Sequence, residues 1–276
     1  MRRARFLIAL SFLLAIHTVW AQKEWRQYPG IERRWSKSNE LPANHLEPAE
    51  FVVGRLMFPQ ARRGWALGTG SGDWLQGRTA WTVDYPEGDR TFARLLGRLS
   101  TINVRALEQP VNLDDDIDAY YWPFLISGLV GAWDLSDSQA QKLREYLLRG
   151  GFLLCDSFYG TYEWEGFVRG MSRIFPDRPI LELPDEHPIF HLVYDLKDRP
   201  QVPTWQHLPH GGYRSNGAVP HWRAILDDDD RVMVMIAFNN DIADGWQRAD
   251  EYEYPQEAAN LAIRLGVNFA VYALTH

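Results

Sequence analysis

The clearest hydrophobic pattern in the chain is a strand–helix–strand unit. Residues 122–127 form an apolar run closed by Gly128, too short for a helix and suited to a buried strand. Ser136, with Gln139 three residues on, has the form of a capping box and predicts a helix start. Leu143, Tyr146 and Leu147 then share one helical face, and Gly150 stands where a helix end needs positive φ. A second apolar run, residues 152–155, ends at Asp156 and Ser157. Two strands joined through a helix pair in parallel. The second strand therefore delivers Asp156 to the carboxyl edge of the sheet, where open α/β folds bind ligands.

The same period analysis extends along the chain. Residues 50–58 alternate imperfectly and are rich in β-formers, which predicts the first strand. Phe92, Leu95, Leu96 and Leu99 share a face of a helix expected over 89–100, and residues 103–107 are expected as the second strand. Residues 159–165 are expected as a loop before a helix carrying Phe167, Met171, Ile174 and Phe175, with a further strand at 179–183. Residues 222–226 and 231–238 predict a hairpin across the acidic turn 227–230. The second of these strands is almost continuously apolar, as befits a central strand covered on both faces. Ala258, Ala259, Leu261, Ala262 and Leu265 build a last helix after Pro255. Strands alternating with helices predict an α/β fold: a mostly parallel sheet sandwiched by helices, flavodoxin-like, with a hairpin and long loops.

The first residues break this pattern. Arg2, Arg3 and Arg5 precede an apolar run over 6–16 and then Val19-Trp20-Ala21, the form of a secretory signal cut after Ala21. Eleven apolar residues are fewer than the roughly 20 needed to span a bilayer, so no stable transmembrane anchor is expected after cleavage. The expected organisation is a signal peptide over 1–21, an extended arm over 22–49 and one α/β domain over 50–276. The expected location is the periplasm or the medium. Loss of the three leader arginines takes the formal charge from −7 to −10. So acidic a protein repels phosphate backbones, which argues against a nucleic-acid partner. Cys155 is the single cysteine, so no internal disulfide can form.

Candidate chemistry gathers after the central strands. Asp156 and Ser157 follow one, and Asn239, Asp241 and Asp244 follow another more than eighty positions later. If both strands are parallel neighbours, these residues meet in one polar site at the carboxyl edge. His187 is a further candidate, although its place before Pro188 suits an extended turn. The Gly-rich run at 68–72 lacks the Gly-Lys-Ser/Thr of a phosphate loop and reads as a plain loop. His207, His210 and His221 match no standard zinc spacing, and the acidic run at 114–116 lacks the alternation of a calcium loop; no cofactor or metal is expected. Trp65, Trp74, Trp81, Tyr159, Tyr162 and Trp164 would suit sugar stacking or a protein interface if exposed, and core or loop contacts if not.

Several stretches together resemble the bacterial family known as domain of unknown function 4159: GGFLLCD (150–156), DEHPIF (185–190), NNDIADGW (239–246) and the ending RLGVNFAVYALTH, with EFVVGRLMF, WTVDYP and PFLISG. The resemblance covers about residues 51–276. It implies a fold like that of class I glutamine amidotransferases, and a link to envelope assembly, since relatives often accompany von Willebrand A and MoxR ATPase proteins. In amidotransferases a nucleophilic cysteine sits on a strained strand-to-helix elbow. Here the resemblance places Asp156 at that corner, with Cys155 one residue earlier and so on the opposite face of the strand. Ser157 stands where the family usually has a second acidic residue.

Two functions are then open. One is a non-catalytic binding or assembly module of the cell envelope, holding a protein or glycan. The other is a carboxylate- or metal-dependent hydrolase of a glycan or amide, using Asp156 and Asp241. Convergent carboxylates in a cleft favour the enzyme; an Asp156 bonded to backbone amides favours the module. The leader generates a first prediction: intact mass of the exported protein shows loss of residues 1–21 and a mature start at Gln22, whereas an uncleaved, detergent-requiring chain refutes it.

Overall fold

The computed structural model describes residues 25–31, 41, 45, 47–61, 72–115 and 117–276. Residues 1–21, expected as a leader, most of the stretch expected as an arm, Trp65 and positions 68–71 of the Gly-rich run lie outside them. Seven strands form one sheet: β1 (Gly54–Met57), β2 (Gln109–Asn112), β3 (Phe124–Gly128), β4 (Phe152–Asp156), β5 (Leu181–Glu182), β6 (His221–Leu226) and β7 (Val232–Phe238), in the order β2-β1-β3-β4-β7-β6-β5. The first five in that order are parallel; β6 runs antiparallel to β7, and β5 antiparallel to β6. The parallel part has the flavodoxin-like order, with β7 as its fifth strand and the hairpin partner β6 extending the sheet.

Among the described residues five α-helices cover it: α1 (Glu87–Leu99), α2 (Asp137–Leu148), α3 (Gly160–Ile174), α4 (Ile242–Gln247) and α5 (Gln256–Thr275). Strand alternation divides the core into two layers. Leu153 and Cys155 of β4 pack with Leu143 and Leu147 of α2 and Phe167 and Met171 of α3. Phe152 and Leu154 face the other way, onto Phe92 and Leu96 of α1, Trp246 of α4 and Leu265 and Phe269 of α5. Trp246 stacks on Phe92 at 4.1 Å between ring centroids, joining α4 to α1. Helix α5 is long and apolar enough to cross a membrane by composition alone, but Leu261, Ala262, Leu265 and Phe269 are buried in this second layer.

The central unit forms as its sequence dictates. Ser136 Oγ accepts from Gln139 N, and Gln139 Oε1 accepts from Ser136 N, closing both halves of the capping box of α2. Gly150 takes φ +107° past the end of that helix, and β3 and β4 pair in parallel from Phe124–Phe152 to Gly128–Asp156. Gly151 is needed for a different reason: a Cβ there would lie 2.3 Å from the Tyr146 ring, which packs flat on this backbone.

Four expectations need correction. The second strand lies at Gln109–Asn112, not at 103–107, where only Val104 bridges to Phe51. Its Pro110 is tolerated because β2 is an edge strand with β1 as its one neighbour. Residues 159–165 are mostly helical, since α3 opens at Gly160 straight after β4. The strand at 179–183 shrinks to two residues at the opposite edge. On α1, Phe92 and Leu96 are buried but Leu99 is 48% exposed, because Gly88, Asp89 and Ala93 turn the buried face toward its amino end. The cap gives the second prediction: Ser136→Ala lowers unfolding free energy by about 1 kcal/mol in a urea titration, with an unchanged m-value.

Candidate functional site

Asp156 closes β4 and is fully buried. Its carboxylate does not face an open cleft. Oδ1 accepts from Ile242 N at 3.0 Å and Oδ2 from Ala243 N at 2.8 Å. It therefore caps α4, the helix after β7, rather than the helix that follows it in sequence. This is possible because β4 and β7 are parallel neighbours, so their carboxyl ends lie side by side. Burial pushes the carboxyl up to about 6, against the pull of the amides of Ile242, Ala243 and Ser157 and the charge of Arg55.

The strained corner is one residue later than expected. Ser157, not Asp156, has the left-handed backbone, at φ +59°, and α3 begins three residues on. Cys155 precedes both, buried in the layer of α2 and α3, with its thiol pushed well up by burial and by Asp156. Ser157 is held by its main chain: its N donates to Asn240 O, and its carbonyl accepts from Arg214 Nη2. Its buried Oγ has no hydrogen-bond partner.

The residues after β7 divide by what they already hold. Asn239, at φ +61°, accepts from Gly160 N through Oδ1 and donates to Val219 O through Nδ2, stapling the start of α3 to the 201–219 loop. Asp244 accepts from Arg248 Nε and Trp205 N. Asp241 is different. It is 2% exposed, and its Oδ1 has no hydrogen-bond partner. Burial holds its carboxyl well above the ordinary range, reinforced by Asp244 and Asp156 and opposed by Arg214 and Thr204. A buried carboxyl left half-satisfied costs stability, which is the usual mark of a group kept for another reason.

A further buried charge went unread in the sequence. Arg55 of β1 is fully buried and holds Asp89 of α1 through Nε (3.0 Å) and Nη2 (2.5 Å), while Nη1 has no partner. Burial disfavours its charge, but Asp89, then Asp84 and Asp156, more than offset this and keep the guanidinium charged. A Cβ on Gly128 would lie 3.6 Å from Arg55 Nη1 and 3.8 Å from Ser157 Cβ, so the two face each other across the end of β3. That is the point where the strand order reverses between β1 and β3, the usual ligand crevice of this topology. One arginine inside the apolar run 51–58 was the available signal, since buried charges in strands are seldom left without purpose.

Of the six expected site residues, Asp156, Ser157, Asn239, Asp241 and Asp244 meet at this edge. His187 does not join them. Its Nδ1 accepts from Ile189 N and caps a 3-10 turn, and its ring meets Phe190 edge-on. His221 pairs with Glu182 and stacks on Phe238. Among the described residues no group of three His, Cys, Asp or Glu side chains could hold a metal ion. The aromatics left open between an exposed platform and core contacts resolve mostly toward the core among the described residues. Trp81 and Tyr159 are fully buried, Trp74 and Trp164 are packed against the core, and Tyr162 is exposed.

The family model described as Domain of unknown function (DUF4159) matches residues 72–274, and the chain belongs to that family. No curated protein matches it.

The third prediction separates the two carboxylates. Asp156→Asn leaves one oxygen for two amides and lowers unfolding free energy by about 1–2 kcal/mol, whereas Asp241→Asn is neutral or stabilising. Their pH dependence follows by sign. Both carboxyls have folded pKa values above the unfolded value of about 3.9, so their favourable contribution is complete below pH ~4. It is lost as pH rises through the folded value, about 6 for Asp156. Wild-type stability minus that of Asp241→Asn therefore falls as pH rises above ~4, which thermal melts at pH ~4, ~5, ~6 and ~7 measure. A rising difference, or equal losses from both substitutions, refutes this assignment.

Proposed function

We infer that this member of the domain of unknown function 4159 family is an exported, non-catalytic binding or assembly module of the cell envelope on an amidotransferase-like scaffold. The observation that carries the reading is the commitment of Asp156 to the amides of Ile242 and Ala243. A carboxylate holding a helix end is not free to move a proton to and from a substrate. The elbow itself lacks an activated nucleophile: the Ser157 hydroxyl has no hydrogen-bonded base, and Cys155 is buried with its thiol un-ionised. What the edge offers instead includes three buried polar atoms with unused bonding capacity, Arg55 Nη1, Ser157 Oγ and Asp241 Oδ1. Together they supply a donor, a hydroxyl and an acceptor, which suits recognition of a polar group.

One observation favours a second reading. The raised carboxyl of Asp241 falls in the class of groups that serve as general acids, so a carboxylate-dependent hydrolase of a glycan or amide is the alternative. In that reading Asp241 acts, and Asp156 positions the helix next to it.

The fourth prediction decides between them. Purified mature protein is incubated with glutamine, nitrophenyl esters, nitrophenyl glycosides and purified peptidoglycan, with and without divalent cations, and release of product is followed. The module reading expects no turnover above that of Ser157→Ala and Asp241→Asn controls. Turnover abolished by Asp241→Asn establishes the hydrolase, and turnover abolished by Ser157→Ala establishes a serine nucleophile at the elbow.

A further inference from the structure

A second site lies at the opposite end of the sheet. Where the chain enters β3 and leaves α2, a cleft of about 340 Å³ is lined by Tyr120, Tyr121, Trp122, Pro123, Arg149 and Gly150. That volume is within the range of small-molecule sites. Tyr120 and Tyr121 are 36% and 38% exposed, which is unusual for adjacent tyrosines in a chain that buries most of its aromatics. Nothing lies within 4 Å of the position a Cβ would take on Gly150, so one wall is open.

A fork of polar groups begins at the wall of the cleft with Arg149 and continues to its partner Glu145, just outside the lining. Arg149 Nη2 pairs with Glu145 Oε1, its guanidinium lies 5.3 Å over the Tyr120 ring, and the Tyr120 hydroxyl donates to Glu145 Oε2. Arg149 and Glu145 have side chains 65% and 47% exposed, so each retains bonding capacity toward solvent. Donors and acceptors stand side by side with no net charge, next to an aromatic face.

This pairing selects among ligands. Grooves for proline-rich peptides use indole and tyrosine donors to hold the peptide carbonyls. Here Trp122 Nε1 is bonded to Asp118, the Tyr146 hydroxyl to Trp122 O and Phe152 O, and the Tyr120 hydroxyl to Glu145, so of the indole and tyrosine donors lining the cleft the Tyr121 hydroxyl alone is left. A sugar ring makes the opposite demand. Its C–H face stacks on an aromatic ring, and its vicinal hydroxyls each donate and accept, which a carboxylate–guanidinium fork satisfies together. The neutrality of the fork excludes a preference for charged sugars. We propose that this cleft at the amino edge is a binding site for a neutral glycan, with Tyr121 as the stacking face and Arg149 and Glu145 as the hydroxyl-binding fork. It is separate from the carboxyl-edge site and does not depend on how that site functions.

The test is calorimetric titration of the mature protein with chitotetraose, cellotetraose and maltotetraose, each to about 10 mM, a range that captures weak single-ring recognition. At least one binds. Tyr121→Ala and Arg149→Ala, both surface changes that leave the melting temperature unaltered, each weaken it by about tenfold or more. Tyr162→Ala, an exposed tyrosine on α3, leaves binding unchanged. Absence of binding by all three oligosaccharides overturns the proposal, as does binding indifferent to both cleft substitutions. A proline decapeptide is titrated in parallel, and Tyr121-dependent binding of that peptide alone overturns the sugar assignment. None of these results bears on turnover at the carboxyl edge, so the two readings fail separately.

Discussion

Two hydrogen bonds accepted by one buried carboxylate organise the carboxyl edge of the sheet. Asp156 terminates β4, and its two oxygens take the first amides of the helix that follows β7. The bond pair ties the two central strands at their carboxyl ends and sets α4 so that Trp246 stacks on Phe92 of α1. It also determines which side chains are left over. Once Asp156, Asn239 and Asp244 are engaged by backbone and by Arg248, the unused polar atoms include those of Ser157, Asp241 and Arg55. The edge is thus crowded with polar groups of two kinds, those that hold the fold and those with capacity to spare.

The electrostatics of the corner follow from its burial. The Arg55–Asp89 pair is fully enclosed, and removing one partner of such a pair typically costs about 3–5 kcal/mol because the other is stranded. Asp156 gains from Arg55 and from three amides, yet burial still pushes its carboxyl up to about 6. Asp241 lacks comparable support and is raised further. A fold seldom keeps such a group for stability alone, and for that reason Asp241 carries the alternative reading as a hydrolase. The opposite end of the sheet is built differently. There the aromatic residues are partly exposed and the charges are paired at the surface, an arrangement that costs little to desolvate.

Much of the architecture was legible in the sequence because its signals are local. The capping box at Ser136, the glycine at 150, the apolar run into Asp156 and the acidic turn of the hairpin each specify a conformation within a few residues. The meeting of Asp156 with Asp241 was also accessible, since parallel strands must share a carboxyl edge. Local patterns failed where tertiary context outweighed propensity. Residues 103–107 look like a strand, but the chain reaches the sheet edge only at Gln109, where Pro110 carries no penalty. The start of α3 at Gly160 was hidden because positive φ at Ser157 turns the chain without a loop.

What the sequence determined by itself was therefore the class of fold, the parallel central unit and the set of polar residues at its edge, all consequences of hydrophobic period and of strand direction. Only the tertiary structure decided what each of those residues does. Whether an aspartate caps a helix, pairs with an arginine or keeps an oxygen unbonded depends on groups eighty or more positions away, as Asp156 and Ile242 are. No period along the chain encodes that distance. The same holds for Arg55, which reads as an irregularity in an apolar strand until Asp89, Gly128 and Ser157 are seen around it.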